Sequence, residues 1–297
     1  MTVGGDGGSS GSSFGALAPH WPLTDDATAA LVSLSLSEDI GPGDATSNAL
    51  FTDDDKLTAV MRTREAITLA GLPFVASVFW GMDDEAELKF LATDGDHLPA
   101  NTSILAIKGR AAPLLTAERT ALNMVQHLSG IATLTAQYVA TVEGTGVEVL
   151  DTRKTTPGLR LLEKYAVKMG GGTNHRLGLY DAIMIKDNHI AAAGSIADAV
   201  KRARTVDGLT VQVECDTLDQ VQEALKAEAD SLLLDNMNLD DLRAAVKLVD
   251  SRVPTEASGG VRLDTIRAIA ETGIDRISVG RLTQSAPAVD IGLDFGT

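Results

Sequence analysis

Seven lysines and arginines fall within the forty residues from Asp151 to Ile190, against four acidic residues. That is a local charge of +3 in a chain of 297 residues whose formal net charge is -16. Arg153 and Lys154 stand in "DTRK", His175 and Arg176 follow a glycine triplet in "MGGGTNHR", and Lys186 opens "KDNH". A guanidinium presents a planar fork that matches carboxylates and phosphates, whereas an ammonium is a mobile point charge. Several of each in one stretch imply a substrate with more than one anionic group. Glu214 and Asp235 add the complementary chemistry, because carboxylates hold ribose hydroxyls or a magnesium ion that itself bridges phosphates. Not every charge here is assigned to chemistry: Lys164 and Lys168 lie at helical spacing, and Lys164 is expected on a solvated face. Cys215, the single cysteine, sits in the apolar run "VQVEC" and is expected to be a buried structural thiol.

The elements that would position these groups follow from a rhythm beyond residue 143. Short apolar runs recur as "VEVL", "AIMI", "TVQVE", "SLLL", "PTEAS" and "RISVG", separated by helix-like segments such as "SIADAVKRAR", "TLDQVQEALKA", "NLDDLRAAVKLV" and "RLDTIRAIAET". Alternation at this spacing predicts parallel βαβ units, about six strands in all, as an incomplete barrel or a doubly wound sheet. The strands end in "DTRK", "KDNH", Glu214, "DN", "SGG" and "GRLT", which gathers the reactive side chains at one edge. In parallel α/β folds ligands bind at that carboxyl edge. Glycines at the last two strand ends, in "ASGGV" and "SVGRLT", let backbone N–H groups approach phosphate oxygens. No P-loop and no G-x-G-x-x-G occurs, which disfavours a nucleoside triphosphatase or a dinucleotide site.

The first half reads differently. Ten of the first fifteen residues are Gly or Ser, and residues 1 to 23 are expected to be a disordered tail. "TDDATAALVSLSLSEDI" predicts a helix entered at Thr24 and stopped by "GPGD". From Lys56 to about Arg110, strand-like pieces around "GLPFVASVFW" suggest an α+β module. A strong helix then covers 116 to 142, with Leu122, Val125, Leu128 and Ile131 on its apolar face and Gly130 expected to bend or divide it. The acidic balance argues against a nucleic-acid or anionic-membrane partner. With no run of about 18 apolar residues and no Lys or Arg before Lys56, the expected location is cytoplasmic.

Five segments, "TAERTALNMVQHLSGIAT", "DTRKTTPGLRLLEKYAVKMGGGTNHRLGLYDAIMIKDNHI", "LLLDNM", "ASGGV" and "ISVGRLTQS", closely resemble the quinolinate phosphoribosyltransferase family. The resemblance spans roughly residues 24 to 297. It implies an open (β/α) barrel over 139–284 and an N-terminal α/β sandwich over 24–138 completed by 285–297. It also implies transfer of phosphoribosyl from phosphoribosyl pyrophosphate to quinolinate with decarboxylation, on the de novo route to NAD.

By the same resemblance, Arg153, His175, Arg176 and Lys186 hold the quinolinate carboxylates, and Lys154, with Thr155 beside it, lies near the reacting centre. Glu214 and Asp235 face the ribose and Mg2+, the metal being met indirectly through substrate or water. Ser258, Gly259, Gly260, Val279, Gly280 and Arg281 surround the 5-phosphate. Arg119 is expected to reach across a homodimer interface. Arg281 and Gln284 differ from the small residue and the histidine usual in the family at those places. The alternatives are a paralogue acting on another pyridine carboxylate, a barrel aldolase with Lys154 or Lys186 as Schiff-base amine, and a ligand-sensing protein without turnover.

Overall fold

The computed structural model describes Ala18 and residues 20–296. The expected disordered tail therefore lies outside the described residues for all of 1–17. In the described part of that stretch Trp21 is buried, and its indole N–H donates to Thr28 Oγ1 at 3.0 Å. This aromatic ring with a hydrogen-bonded polar tip packs ahead of the first helix.

The chain forms two compact units, residues 1–133 with 287–297, and residues 134–286. In the first unit α1 (Asp25–Ile40) is capped by Thr24, whose hydroxyl accepts from the Ala27 N–H, and ends at Gly41 with φ of 52°. Asp44 caps α2 (Ala45–Leu50) by accepting from the N–H groups of Thr46 and Ser47. The remaining elements are β1 (Lys56–Thr63), β2 (Ile67–Thr68), α3 (Leu72–Met82), β3 (Glu87–Phe90), β4 (His97–Leu98), β5 (Ser103–Arg110) and α4 (Ala111–Thr141). Burial alternates at the core end of β1, with Ala59, Met61 and Thr63 inside, as a one-face-buried antiparallel strand requires. The main sheet runs β12-β1-β5-β3, its edge supplied by β12 (Ile291–Phe295) from the far end of the chain. Strands β2 and β4 form a separate two-stranded sheet.

Helix α4 runs unbroken through Gly130, so the glycine does not divide it. The glycine serves a close approach instead. A Cβ there would stand 2.1 Å from the carbonyl oxygen of Pro287, in the segment that leads into β12. Leu122, Val125, Leu128 and Ile131 are all buried, as the apolar face predicts.

The second unit is a βα succession: β6 (Glu148–Leu150), α5 (Arg160–Met169), β7 (Ile183–Ile185), α6 (Asp187–Ala193), α7 (Ile196–Ala203), β8 (Val211–Cys215) and α8 (Leu218–Lys226). It continues with β9 (Ser231–Asp235), α9 (Leu239–Val249), β10 (Thr255–Ser258), α10 (Ile266–Ala270), β11 (Arg276–Ser278) and α11 (Arg281–Gln284). The six strands pair in parallel in the order β6-β11-β10-β9-β8-β7. This is the cyclic order of a barrel left open between β6 and β7, where a single bridge joins Leu150 to Thr173. Leu232, Leu233 and Leu234 are all buried, the unbroken apolar run of a strand covered on both faces. Ser195, Thr217 and Asn238 cap α7, α8 and α9 through their side-chain oxygens, so each chain reversal into a helix is fixed locally.

Candidate active site

At the carboxyl edge of the parallel sheet a cavity of about 380 Å3 is lined by Thr152, Arg153, Lys154, His175, Arg176, Met184, Lys186, Glu214, Leu233, Asp235, Glu256, Ser258 and Ser278. Eight of the residues expected from the sequence are among them. Four permanent cations face three carboxylates here, inside a protein sixteen negative charges from neutrality. The apolar walls come from Met184 and Leu233.

Arg153 and Lys154 leave β6 in a turn closed by the Lys154 N–H on Thr152 Oγ1 at 3.1 Å. The Lys154 carbonyl accepts from Thr283 Oγ1 at 2.8 Å, so α11 pins the same turn. A Cβ at Gly280 would stand 3.2 Å from Lys154 Cδ, which gives that glycine a packing role beside the lysine stem. Arg153 Nε is buried and has no hydrogen-bond partner among the described residues. Burial, with the neighbouring charge of Arg153, weakens the proton affinity of Arg176, and Asp181 works against this. Arg176 donates through one guanidinium nitrogen to the Ala182 carbonyl at 3.1 Å.

Beneath these cations lies an ion pair that the sequence reading put elsewhere. Lys164 is not on a solvated face: it is 1% exposed, and its Nζ lies 2.5 Å from Asp151 Oδ1, itself fully buried. Asp151 also accepts from Asn174 Nδ2 at 2.7 Å and from the His175 N–H at 2.8 Å, while Lys164 donates to the His175 carbonyl at 2.9 Å. Burial pushes the carboxyl up and the ammonium down, each toward neutrality. The pair thereby fixes the backbone of the residue before Arg176. Thr155 turns to a similar support, accepting from Arg160 Nε at 3.0 Å, and does not line the cavity.

Lys186 is paired with Glu214 across the ends of β7 and β8. Asp235 ends β9 and accepts from Asn236 Nδ2 at 2.7 Å. Gly259 has φ of 96°, and a Cβ on it would lie 2.2 Å from Asn236 Oδ1, so glycine is required after Ser258. Gly260 follows with φ of 60°. Val279 is buried, its N–H donating to the Leu150 carbonyl at 2.9 Å, and Arg281 is exposed at the head of α11. Arg119 stands exposed on α4, in the first unit.

Glu256 is the residue that sequence reasoning missed. It is 2% exposed, takes a hydrogen bond from Gln212 Nε2 at 2.9 Å and faces His175 Nε2 at 3.3 Å. Burial opposes its ionisation, but His175, with Gln212 and Ser278, outweighs it and holds the carboxyl below its ordinary range. Two features mark it in the sequence: a charge inside a buried strand, and a position two residues before Ser258, hence on the same face. Cys215 is buried as expected, and burial with three neighbouring carboxylates pushes its thiol up to about 12, which removes it as a nucleophile.

Fold and cavity together define an open α/β barrel with an anion-binding site at the carboxyl edge of its sheet. Residues 131–294 match the quinolinate phosphoribosyl transferase C-terminal domain, and residues 44–129 match the N-terminal domain of the same family. The chain is 45% identical over 259 residues to a probable nicotinate-nucleotide pyrophosphorylase [carboxylating] of Bacillus subtilis, covering 86% of this chain and 89% of that one. It is 43% identical to the nicotinate-nucleotide pyrophosphorylase [carboxylating] of Mycobacterium leprae, covering 91% and 98%. Among solved structures, the nicotinate-nucleotide pyrophosphorylase of Francisella tularensis superposes with a TM-score of 0.90 at 42% identity, covering 93% and 98%. The chain belongs to the quinolinate phosphoribosyltransferase family.

Proposed function

We propose that this protein transfers the phosphoribosyl group of phosphoribosyl pyrophosphate to quinolinate, releasing pyrophosphate and carbon dioxide and forming nicotinate mononucleotide in NAD biosynthesis. The observation that carries the reading is the concentration of Arg153, Lys154, Arg176 and Lys186 around one cavity with apolar walls, in a chain of this family. A pyridine dicarboxylate and a phosphorylated pyrophosphate need that many cations.

Arg153 and Arg176 offer planar forks to the two ring carboxylates, with the Lys186 ammonium beside them, between the walls of Met184 and Leu233. Lys154 faces the reacting centre and the departing pyrophosphate, and Glu214 and Asp235 the ribose hydroxyls. Ser258, Gly259, Gly260 and the turn from Val279 to Arg281 receive the 5-phosphate. The ribose C1–O bond breaks with its electron pair going to pyrophosphate, and the ring nitrogen supplies the pair that forms the new C–N bond. The ring is then cationic. The adjacent carboxylate leaves as carbon dioxide, its bonding pair staying on the ring carbon beside the positive nitrogen, where a proton is then taken up.

Mg2+ belongs to this reading as a companion of the pyrophosphate. Among the described residues no group of three or more His, Cys, Asp or Glu stands ready to cage a metal. Glu214 and Asp235 do supply the one or two carboxylates that magnesium takes when phosphates and water complete its shell. Arg119, exposed on α4, is free of any such duty in the cavity and fits the part of a residue lent to a second copy in a homodimer. Among the described residues no helix is long and apolar enough to cross a membrane, and a cytoplasmic enzyme without nucleic-acid partners is the reading offered.

The test is an assay with quinolinate, phosphoribosyl pyrophosphate and Mg2+, following nicotinate mononucleotide and carbon dioxide, with nicotinate in parallel. Product from quinolinate supports the proposal, and product from nicotinate alone, or none, overturns it. Lys154→Ala is expected to lower kcat by roughly 100-fold, the scale of one transition-state contact. Arg176→Ala is expected chiefly to raise KM for quinolinate, by about 10- to 100-fold, the scale of a charge-assisted pair. Near-normal constants in both variants would reject these roles.

A further inference from the structure

The two ring nitrogens of His175 are both engaged inside the protein. Nδ1 accepts the Arg176 backbone N–H at 2.7 Å, so in this geometry the ring carries its proton on Nε2. That nitrogen faces Glu256 Oε2 at 3.3 Å, the same oxygen that accepts from Gln212 Nε2 at 2.9 Å. The backbone of His175 is held as well, its N–H on Asp151 and its carbonyl under Lys164. Neither ring nitrogen is left pointing at a ligand. A histidine beside an anion site would ordinarily be assigned to the anion. Here its ring, which lines the cavity, bridges a buried carboxylate on β10 to the amide of Arg176.

We propose that Glu256 is a positioning residue that acts through His175. Its carboxylate selects the Nε2–H tautomer, which leaves Nδ1 as the acceptor that orients the chain at Arg176. Both neighbours present donors to one oxygen, Oε2: the Gln212 amide at 2.9 Å and the His175 ring nitrogen at 3.3 Å. A glutamine at 256 can keep an acceptor oxygen at that point, whereas a leucine offers none and leaves the Nε2 side of the ring without an acceptor. The carboxylate is 2% exposed, and its Oε1 is buried without a hydrogen-bond partner among the described residues.

The effect on substrate rests on the reaction proposed above, whereas the effect on the ring does not. Protein labelled with 15N-histidine, its His175 signals assigned by their loss in His175→Asn, reports the tautomer by long-range proton–nitrogen correlation at neutral pH. The expected pattern is Nε2–H in the native protein and its loss or mixing in Glu256→Leu. A Nδ1–H pattern in the native protein, or a pattern unchanged in Glu256→Leu, overturns the proposal.

The kinetic arm compares two substitutions at His175. Asparagine keeps an acceptor near the Nδ1 position, and glutamine places its polar end near Nε2. If the ring works through Nδ1, KM for quinolinate is higher in His175→Gln than in His175→Asn by about tenfold, the scale of one hydrogen bond that orients a charged group. Glu256→Leu moves KM in the same direction with little change in kcat. The reverse order, with His175→Gln the better enzyme, would mean that Nε2 serves the substrate directly and sink the idea. If Glu256→Leu does not fold, the two His175 variants decide. If no pyridine carboxylate is turned over, the reaction assignment fails and the native tautomer alone decides.

Discussion

Replacing Lys164 by methionine removes an ammonium from a pair in which Lys164 is 1% and Asp151 0% exposed, at 2.5 Å separation. Methionine keeps the unbranched stem, so the packing volume changes little and the perturbation is electrostatic. Asp151 would keep its bonds from Asn174 Nδ2 and the His175 N–H, and the His175 carbonyl would lose its 2.9 Å donor. Breaking one side of a buried pair costs about 3–5 kcal/mol, and the two surviving donors place this case near the lower end, about 3 kcal/mol. With a urea dependence of about 1–3 kcal/mol per molar, the midpoint falls by about 1–3 M. Circular dichroism in urea measures it, and hydrogen exchange of β9 peptides locates the loss in the second unit. Adding Asp151→Asn removes the stranded charge, so the double variant costs less than the sum of the singles by about 1–3 kcal/mol. A midpoint shift under about 0.3 M, or strict additivity, would refute the view that this pair holds the loop before Arg176.

Gly130→Ala would gain about 1 kcal/mol from helix propensity alone, yet its Cβ would meet the Pro287 carbonyl at 2.1 Å, so a net loss of about 1–3 kcal/mol is expected by thermal denaturation. Asp44, held at about 2 against 3.8 by hydrogen bonds from Ser47, Thr116 and Thr46, contributes stability that is present above about pH 4 and lost as pH falls toward 2. Asp44→Asn should flatten that stretch of the stability profile, and an unchanged slope would contradict the assignment. Native protein should leave Cys215 unmodified by iodoacetamide near pH 8 and react in urea, since its thiol lies at about 12.

The strands and their carboxyl edge were legible because both depend on local pattern. Six apolar runs became six parallel strands, and the residues closing them became the rim of a cavity. Lys164 was misread because "RLLEKYAVKM" has charged residues at helical spacing, while burial extends from Leu162 to Val167 with no polar face between. What makes that burial tolerable is contact with Asp151, thirteen positions away, and with a carbonyl reached through the glycine triplet. No window of helical length contains both. Gly130 was misread for the same reason: propensity sees a weak helix residue, and only the approach of Pro287, 157 positions away, makes the missing Cβ a requirement. Glu256 lay in plain view in "PTEAS", but its meaning depends on a histidine from the loop between α5 and β7.

The carboxylates in this anion site are intelligible from the same contacts. Four cations brought together without a ligand repel one another, and at Arg176 the charge of Arg153 adds to burial in weakening the proton affinity. Pairing every one of them would satisfy folding and leave nothing for a dianion to gain. The structure divides the difference. Lys186 rests on Glu214 near the mouth, a pair half open to solvent on the lysine side that an incoming phosphate can compete for. Arg153 keeps a buried Nε without a partner among the described residues, a cost that a ligand oxygen would relieve. Glu256 and Asp151 are instead buried beyond exchange, and their partners are the residues that carry Arg176. Under the proposed reaction Glu214 is the carboxylate that a substrate anion would displace from its lysine, while the buried carboxylates stay as fixed points of the frame.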